Sequence, residues 1–157
     1  MKFLRVKELL CVAVLVLFVF AAIAQKGRVS DAAPADVGAA VSAACGLEQL
    51  EVRGDKAFKK EFGLDPQQFS GGYYAASDDV MEVRELLIVR LKSSDDGAAL
   101  TETLRRRVEQ KIVLFEGYAA EQAALLKNYR LKQSGNFVLF AVCDSPSEAV
   151  KAFSRAL

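Results

Sequence analysis

The sequence contains no histidine. Histidine is the commonest general base and the usual partner of a serine or cysteine nucleophile, so the chain lacks the central residue of most catalytic triads. Most catalytic zinc sites also depend on histidine ligands. The composition therefore argues against a triad hydrolase and against a zinc enzyme.

Cysteine is scarce, with three residues in 157. Cys11 lies in an apolar run near the start of the chain, and Cys45 and Cys143 are far apart. No Cys-x-x-Cys spacing occurs, which excludes a thioredoxin-like centre and a zinc ribbon. Cys45 and Cys143 stand among apolar neighbours, which favours buried thiols. A disulfide between them is the alternative in an exported protein.

Other spacings that carry chemistry are absent as well. There is no Ser-x-x-Lys, no Gly-x-Ser-x-Gly and no glycine-rich phosphate loop. The pairs Asp78-Asp79 and Asp95-Asp96 lack the alternating ligand spacing of a calcium loop, and adjacent aspartates before a helix more often cap it. We expect no catalytic residue, no cofactor and no metal site, and hence not an enzyme.

The overall balance of residues is that of one folded domain. Hydrophobic residues make up 52% and charged residues 26% of the chain, which is enough apolar material for a core. The formal net charge is +1, which gives no indication of nucleic-acid binding.

The first 24 residues have the pattern of a targeting segment. A basic start is followed by residues 9–24, which carry no charged or polar side chain apart from the thiol of Cys11. Ala22-Ile23-Ala24 before Gln25 fits signal-peptide cleavage, whereas the apolar length also fits a short membrane anchor. The sequence predicts a signal peptide or a membrane anchor at 1–24, with the following domain outside the cytoplasm.

Residues 25–33 are predicted to form a linker, and residues 34–157 a single extracytoplasmic domain. Helices are predicted to run from Pro34 to Gly46 and from Asp55, as N-cap, to Gly63. The β-branched and apolar residues between 71 and 92 predict a hairpin.

In the second half the strand–strand–helix unit is predicted to occur twice, counted from the first hairpin. A long helix is predicted after Gly97, with one continuous apolar stripe: Leu100, Leu104, Val108, Ile112 and Phe115. An edge strand near Tyr129 and a buried strand over 137–143 follow. Ser145 to Glu148 form a predicted capping box for the last helix. The predicted fold is α+β, with helices packed on one face of a four-stranded antiparallel sheet in the order helix-helix-ββ-helix-ββ-helix, preceded by an N-terminal apolar helix.

Two groups of side chains are candidates for binding. Tyr73 and Tyr74 follow a glycine pair, but neighbouring rings of a strand face opposite ways, so we expect one of them in the core. Arg105, Arg106 and Arg107 are consecutive on a helix and point about 100° apart, so a solvated face is favoured over one flat cationic patch.

Several short motifs, in this order and spacing, resemble an uncharacterised bacterial family, the domain of unknown function 4358. They are Phe62-Gly63-Leu64-Asp65, Gly72-Tyr73-Tyr74, the strand from Glu85 to Arg90, Arg107-Val108-Glu109-Gln110, Phe115-Glu116-x-Tyr118, Glu121-Gln122, Asn128 and Gly135-Asn136-Phe137-Val138. The resemblance implies exported lipoproteins or membrane-anchored proteins of Gram-positive bacteria, and it implies no activity. This chain departs from many members in lacking a lipobox cysteine.

These observations lead to two functional hypotheses. The first is a non-enzymatic structural or protein-interaction module of the bacterial envelope, membrane-anchored or secreted. The second is a domain that binds a small ligand or a cell-wall polymer through two segments. One is the hairpin of Tyr73 to Asp79, and the other is the helix-to-strand corner at Tyr118, with Glu121 and Asn128 nearby. The candidate interaction or family-motif residues are Tyr73, Tyr74, Arg107, Gln110, Phe115, Tyr118, Glu121, Asn128, Gly135 and Asn136.

Overall fold

A computed structural model of the chain describes residues 12–14, 16 and 29–157. The predicted targeting segment at 1–24 and the first part of the predicted linker lie outside these residues, except that residues 12–14 and 16 are helical. Among the described residues, no helix has the length and apolar character needed to cross a bilayer. The signal peptide and the membrane anchor therefore stay predictions.

The domain contains five helices and five strands within residues 29–157. The helices are α1 (Pro34–Cys45), α2 (Asp55–Phe62), α3 (Gly97–Glu116), α4 (Ala120–Lys127) and α5 (Pro146–Ala156). The strands are β1 (Glu51–Arg53), β2 (Gly71–Ala76), β3 (Glu85–Arg90), β4 (Arg130–Ser134) and β5 (Phe137–Val142). Short 3₁₀ turns lie at Pro66–Gln68 and Ser94–Asp96. The α+β class is confirmed.

The strands form one antiparallel sheet in the order β1-β2-β3-β5-β4. The two predicted hairpins, β2 with β3 and β4 with β5, are confirmed. The sheet has five strands and not four, because β1 pairs with the outer side of β2. This strand has three residues, and Val52 at its centre is exposed, so the sequence around it has no apolar alternation that predicts a strand.

Helices lie on both faces of the sheet, so the prediction of a single covered face is wrong. One apolar cluster joins α2, α3 and α4 to strand residues such as Leu87 and Phe140. A second cluster joins α1 and α5 to residues such as Ile88 and Leu139. Strand β5 is buried at every position. Because neighbouring side chains of a strand point to opposite faces, such a strand requires cover on both sides.

Several helix ends follow the sequence, and others do not. Gly46 and Gly63 end α1 and α2 in the left-handed conformation, as predicted. Asp55 is the first residue of α2 and not its N-cap, which is Gly54. The capping box before α5 is wrong: Ser145 makes no side-chain cap, and the Glu148 carboxylate accepts from Lys151 Nζ at 2.7 Å.

Helix α4 was not predicted. It lies between α3 and β4, where the sequence pattern predicts neither a helix nor a strand. Asn128 stands at its C-terminal end, and its backbone N–H donates to the last turn. No side chain caps the start of α4, so no N-cap signal separates it from α3 in the sequence.

The chain enters the domain at the turn between β4 and β5. Asn136 Nδ2 donates to the carbonyl of Ser30 at 3.0 Å, and its Oδ1 accepts from the Ser30 amide at 2.9 Å. Arg90, at the end of β3, donates to the carbonyls of Asp31 and Ala32. We call this end of the sheet, at Arg90 and Asn136, the entry end. The end at Glu85 is the Glu85 end.

Cys45 and Cys143 are both free and buried, in the cluster beneath α1 and α5. The thiol of Cys45 donates to the carbonyl of Val41 at 2.8 Å. A hydrogen bond with Cys143 and burial raise the pKa of Cys45, whereas the hydrogen bond with Cys45 lowers the pKa of Cys143. The two residues form no disulfide in the structure, in line with the favoured interpretation.

Candidate functional site

A cleft of about 560 Å³ opens at the Glu85 end, on the sheet face that carries α2 and α3. One wall is α2, with Lys60 and Glu61. The second wall is the connection between β2 and β3, residues 77–84, which we call the β2–β3 loop. The third is the last part of α3, with Lys111 and Leu114. A volume of this size lies within the range of sites that hold small molecules or peptide side chains.

The floor of the cleft is built around a buried carboxylate. Glu85 is 2% exposed, and both of its oxygens accept from Arg107, at 2.7 Å from Nη1 and 3.0 Å from Nη2. Lys111 Nζ lies 3.3 Å from the same carboxylate. A buried carboxylate without a partner is strongly disfavoured, so these two cations offset the cost of burying Glu85.

Arg107 connects three elements of the fold. Besides Glu85 on β3, it donates from Nε to the carbonyl of Glu61 at 3.1 Å and from Nη2 to the Glu61 carboxylate at 3.2 Å. Its guanidinium lies 4.6 Å from the centre of the Phe62 ring. Burial opposes its charge, but the Glu85 carboxylate outweighs this, and the pKa of Arg107 lies above its ordinary value. Arg107 thus fixes α2, α3 and β3 around the cleft.

Tyr74 lies beside this network. Its ring packs edge-on against Phe62, with centroids 5.0 Å apart. Burial, reinforced by the nearby Glu85 carboxylate, raises the pKa of Tyr74 well above its usual value, so the phenol stays neutral.

The β2–β3 loop is held by hydrogen bonds and ion pairs, among them an ion pair to β1 and one from Arg84 to Asp144. The Asp79 amide donates to Ser77 Oγ at 3.0 Å, and the Met81 amide donates to Asp79 Oδ1 at 2.9 Å. Arg53 on β1 pairs with Asp78 at 2.6 Å, and this hydrogen bond lowers the pKa of Asp78. The loop is therefore ordered enough to present fixed side chains to the cleft.

Exposed apolar side chains border the cleft. Seven large apolar side chains are exposed within residues 29–157, and four of them line the cleft. We call these four the apolar rim: Val80, Met81, Leu114 and Tyr118. Scattered apolar residues on a surface are ordinary, but a cluster beside a cleft is typical of a binding surface.

The charges around the rim are unbalanced. The lining carries five carboxylates against four cations: Glu61, Asp78, Asp79, Glu82 and Glu85, and Arg53, Lys60, Arg84 and Lys111. Of these, only Asp79 and Lys60 form no ion pair within the described part of the chain. The cleft lining therefore carries one more carboxylate than it has cations.

The cleft brings together four of the predicted candidate residues. Tyr74, Phe115 and Tyr118 line it, and Arg107 supports its floor. The rings of Phe115 and Tyr118 are 5.2 Å apart, and Tyr118 is 57% exposed. The hairpin and the corner at Tyr118, named separately from the sequence, thus meet at one site.

The other candidates lie elsewhere. Tyr73 is on the opposite face, packed against α1, where its OH is 3.4 Å from Ser42 Oγ. Gln110, Glu121 and Asn128 are exposed outside the cleft lining. Gly135 and Asn136 are at the entry end: Gly135 takes a φ of 57°, and Asn136 holds Ser30.

Sequence reasoning missed Glu85 and Lys111 as site residues, as well as three residues of the apolar rim: Val80, Met81 and Leu114. A single acidic residue at the start of the apolar run 85–91 is a signal that was available for Glu85. A charge at the beginning of a buried strand needs a cationic partner, and this points to the arginines of α3.

The fold and the cleft together define a small α+β domain with an antiparallel sheet covered on both faces and a surface cleft at one end of that sheet. The family model described as Domain of unknown function (DUF4358) matches residues 43–143 of the chain. The match covers more than half of the chain, and the chain belongs to this family. All five strands and every residue of the cleft fall within the matched range.

Comparisons with curated proteins and with solved structures gave no match.

Proposed function

We propose that this chain is a non-enzymatic, extracytoplasmic protein-interaction module of the bacterial envelope. Its binding site is the cleft at the Glu85 end. The observation that carries the proposal is the apolar rim, four exposed apolar side chains that line the cleft. The N-terminal apolar segment, residues 9–24, supports placement outside the cytoplasm as a membrane-anchored or secreted protein.

The occupant that fits this surface is a segment of another protein with apolar and basic side chains. Leu114 and Tyr118 on one wall and Val80 and Met81 on the other offer apolar contact to a segment lying between them. The extra carboxylate of the cleft lining favours a cationic neighbour in that segment, through electrostatic complementarity that adds specificity and speeds association. Helix-in-groove and extended-peptide complexes use this combination of apolar anchors and flanking charge.

A pair of synthetic peptides tests this proposal. A peptide of alternating leucine and lysine should bind the chain, whereas its leucine and glutamate counterpart should not. Leu114→Ser should weaken binding of the first peptide, because it removes an apolar anchor without touching the core. Val52→Ser is the matched control, since Val52 is 59% exposed against 61% for Leu114 and lies on β1 outside the cleft lining.

Calorimetric titration at two salt concentrations gives the measurement. Binding should weaken as salt rises, because the attraction between exposed charges is screened. Equal binding of both peptides, or equal loss in both variants, would contradict the proposal.

A second candidate, binding of a small ligand or a cell-wall polymer, is favoured by one observation. Tyr74, Asp78 and Asp79 of the hairpin lie in the same cleft as Tyr118, which places polar groups next to aromatic rings. Thermal-shift measurements with soluble wall fragments separate the two candidates, since a ligand that prefers the folded form raises the melting temperature. A rise in the wild type that Tyr118→Ser abolishes would favour the wall ligand over the protein partner.

A further inference from the structure

The attachment point of the N-terminal segment and the cleft lie at opposite ends of the sheet. Strand β3 runs from Glu85, on the cleft floor, to Arg90, which holds the incoming chain at Asp31 and Ala32. The six residues of β3 place these ends roughly 17 Å apart. The cleft is also on the face covered by α2 and α3, whereas α1, which follows the entry, covers the other face.

The tether between a membrane segment and the domain is short. Residue 24 ends the apolar run, and Ser30 is already fixed to Asn136 through two hydrogen bonds. Six residue steps, from 24 to 30, span at most roughly 20 Å when fully extended. A domain of about 130 residues is roughly 35 Å across. With the Glu85 end against the bilayer, the tether would have to run the whole height of the domain, and not only the roughly 17 Å length of β3. The tether is too short for that.

We infer that, in the membrane-attached form, the cleft opens on the side of the domain that faces away from the bilayer. Its occupant is a protein segment in the aqueous phase, and not the lipid surface that its apolar rim would otherwise suit. This inference deepens the proposed function and rests on it, because it assumes that residues 9–24 remain in the membrane. It assigns the entry end to the membrane side and the Glu85 end to the partner side.

Lipid-proximity quenching of the full chain in vesicles tests the orientation. One reporter is a fluorophore on Val80→Cys, at the apolar rim, and the other is on Ser70→Cys, whose backbone pairs with Arg90 at the entry end. Both variants carry Cys11→Ala, and the buried Cys45 and Cys143 do not compete for label. Lipids with spin-labelled headgroups act as the quencher.

The Ser70 probe should lose most of its fluorescence and the Val80 probe little. Iodide in the buffer should quench the Val80 probe, which shows that this site responds when a quencher reaches it. Inserting twenty glycine and serine residues after Gly27 should remove the difference, because a long flexible tether lets the domain turn over.

Equal quenching at both sites, or stronger quenching at Val80, would overturn the inference. Failure of the full chain to stay with the vesicles would overturn it as well, since no membrane-attached form would then exist. Neither result changes the outcome of the peptide titration, because that measurement depends on the cleft alone. The inferred orientation can therefore be refuted while the proposed binding function stands, and the reverse.

Discussion

Replacing Arg107 by methionine should strongly destabilise the domain. The Glu85 carboxylate, 2% exposed, would lose both hydrogen bonds from the guanidinium and keep only Lys111 at 3.3 Å. Breaking a buried ion pair from one side costs about 3–5 kcal/mol, because the remaining charge is left without its partner. Methionine keeps the apolar contact with Phe62, so the loss reports mainly on the charge.

Two further variants show whether the cost comes from the orphaned carboxylate. Lys111→Met should cost less than about 1 kcal/mol, because this lysine is partly exposed and its single contact is long. The double variant Glu85→Leu with Arg107→Met should regain much of the stability lost in Arg107→Met, because no buried charge remains.

Urea unfolding of the four proteins, followed by circular dichroism, gives the free energies of unfolding. The single Arg107 variant should also melt about 10 °C or more below the wild type. A loss below about 1 kcal/mol in Arg107→Met, or a double variant no more stable than Arg107→Met, would refute the account of the cleft floor.

Three other predictions follow from buried groups. The free energy of unfolding should fall above about pH 10, the ordinary pKa of the phenol, because Tyr74 ionises first in the unfolded chain while its pKa in the folded chain is raised. In a urea-unfolding series between pH 8 and 11, Tyr74→Phe should make this fall smaller. Gly38→Ala should cost about 1–3 kcal/mol in the same assay, since its new methyl group meets the Tyr73 ring, whereas Gly54→Ala meets nothing. The two buried cysteines of the domain should react with iodoacetamide only after unfolding, and prompt labelling counted by intact mass would show that they are accessible.

Much of the architecture could be predicted from local patterns. The apolar runs of β3 and β5, the stripe of α3 and the glycine stops of α1 and α2 each act over a few residues, so the pattern alone identifies them. The two hairpins followed from turns between neighbouring runs. These signals also supported the family resemblance over the matched region.

The errors arose where a feature depends on distant residues. Strand β1 exists because β2 has a free edge, and nothing in three residues around Val52 shows that edge. Strand β5 is apolar at every position, which indicates cover on both faces of the sheet. The predicted four-stranded sheet with one covered face is not consistent with that pattern. Counting the faces that each strand buries would have corrected the layer number.

For the same reason, only some residues of the candidate site could be predicted from the sequence. Tyr74, Arg107 and Tyr118 stood out by residue type, but their meeting point depends on how α3 crosses the sheet. Glu85 is the one acidic residue of an otherwise mostly apolar strand, and the sequence pattern around Leu114 is that of an ordinary amphipathic helix. Exposure of Leu114 is a property of the packed fold, and sequence spacing alone does not assign it.

Photo-cross-linking in living cells tests the central claim most directly, with a benzophenone amino acid placed at Leu114 or, as the matched control, at Val52. The account predicts a discrete cross-linked protein from the Leu114 position, formed outside the cytoplasm and lost when Tyr118→Ser is added, and no such product from Val52. The same product from both positions, or none from Leu114 in a chain that is expressed and folded, would contradict it.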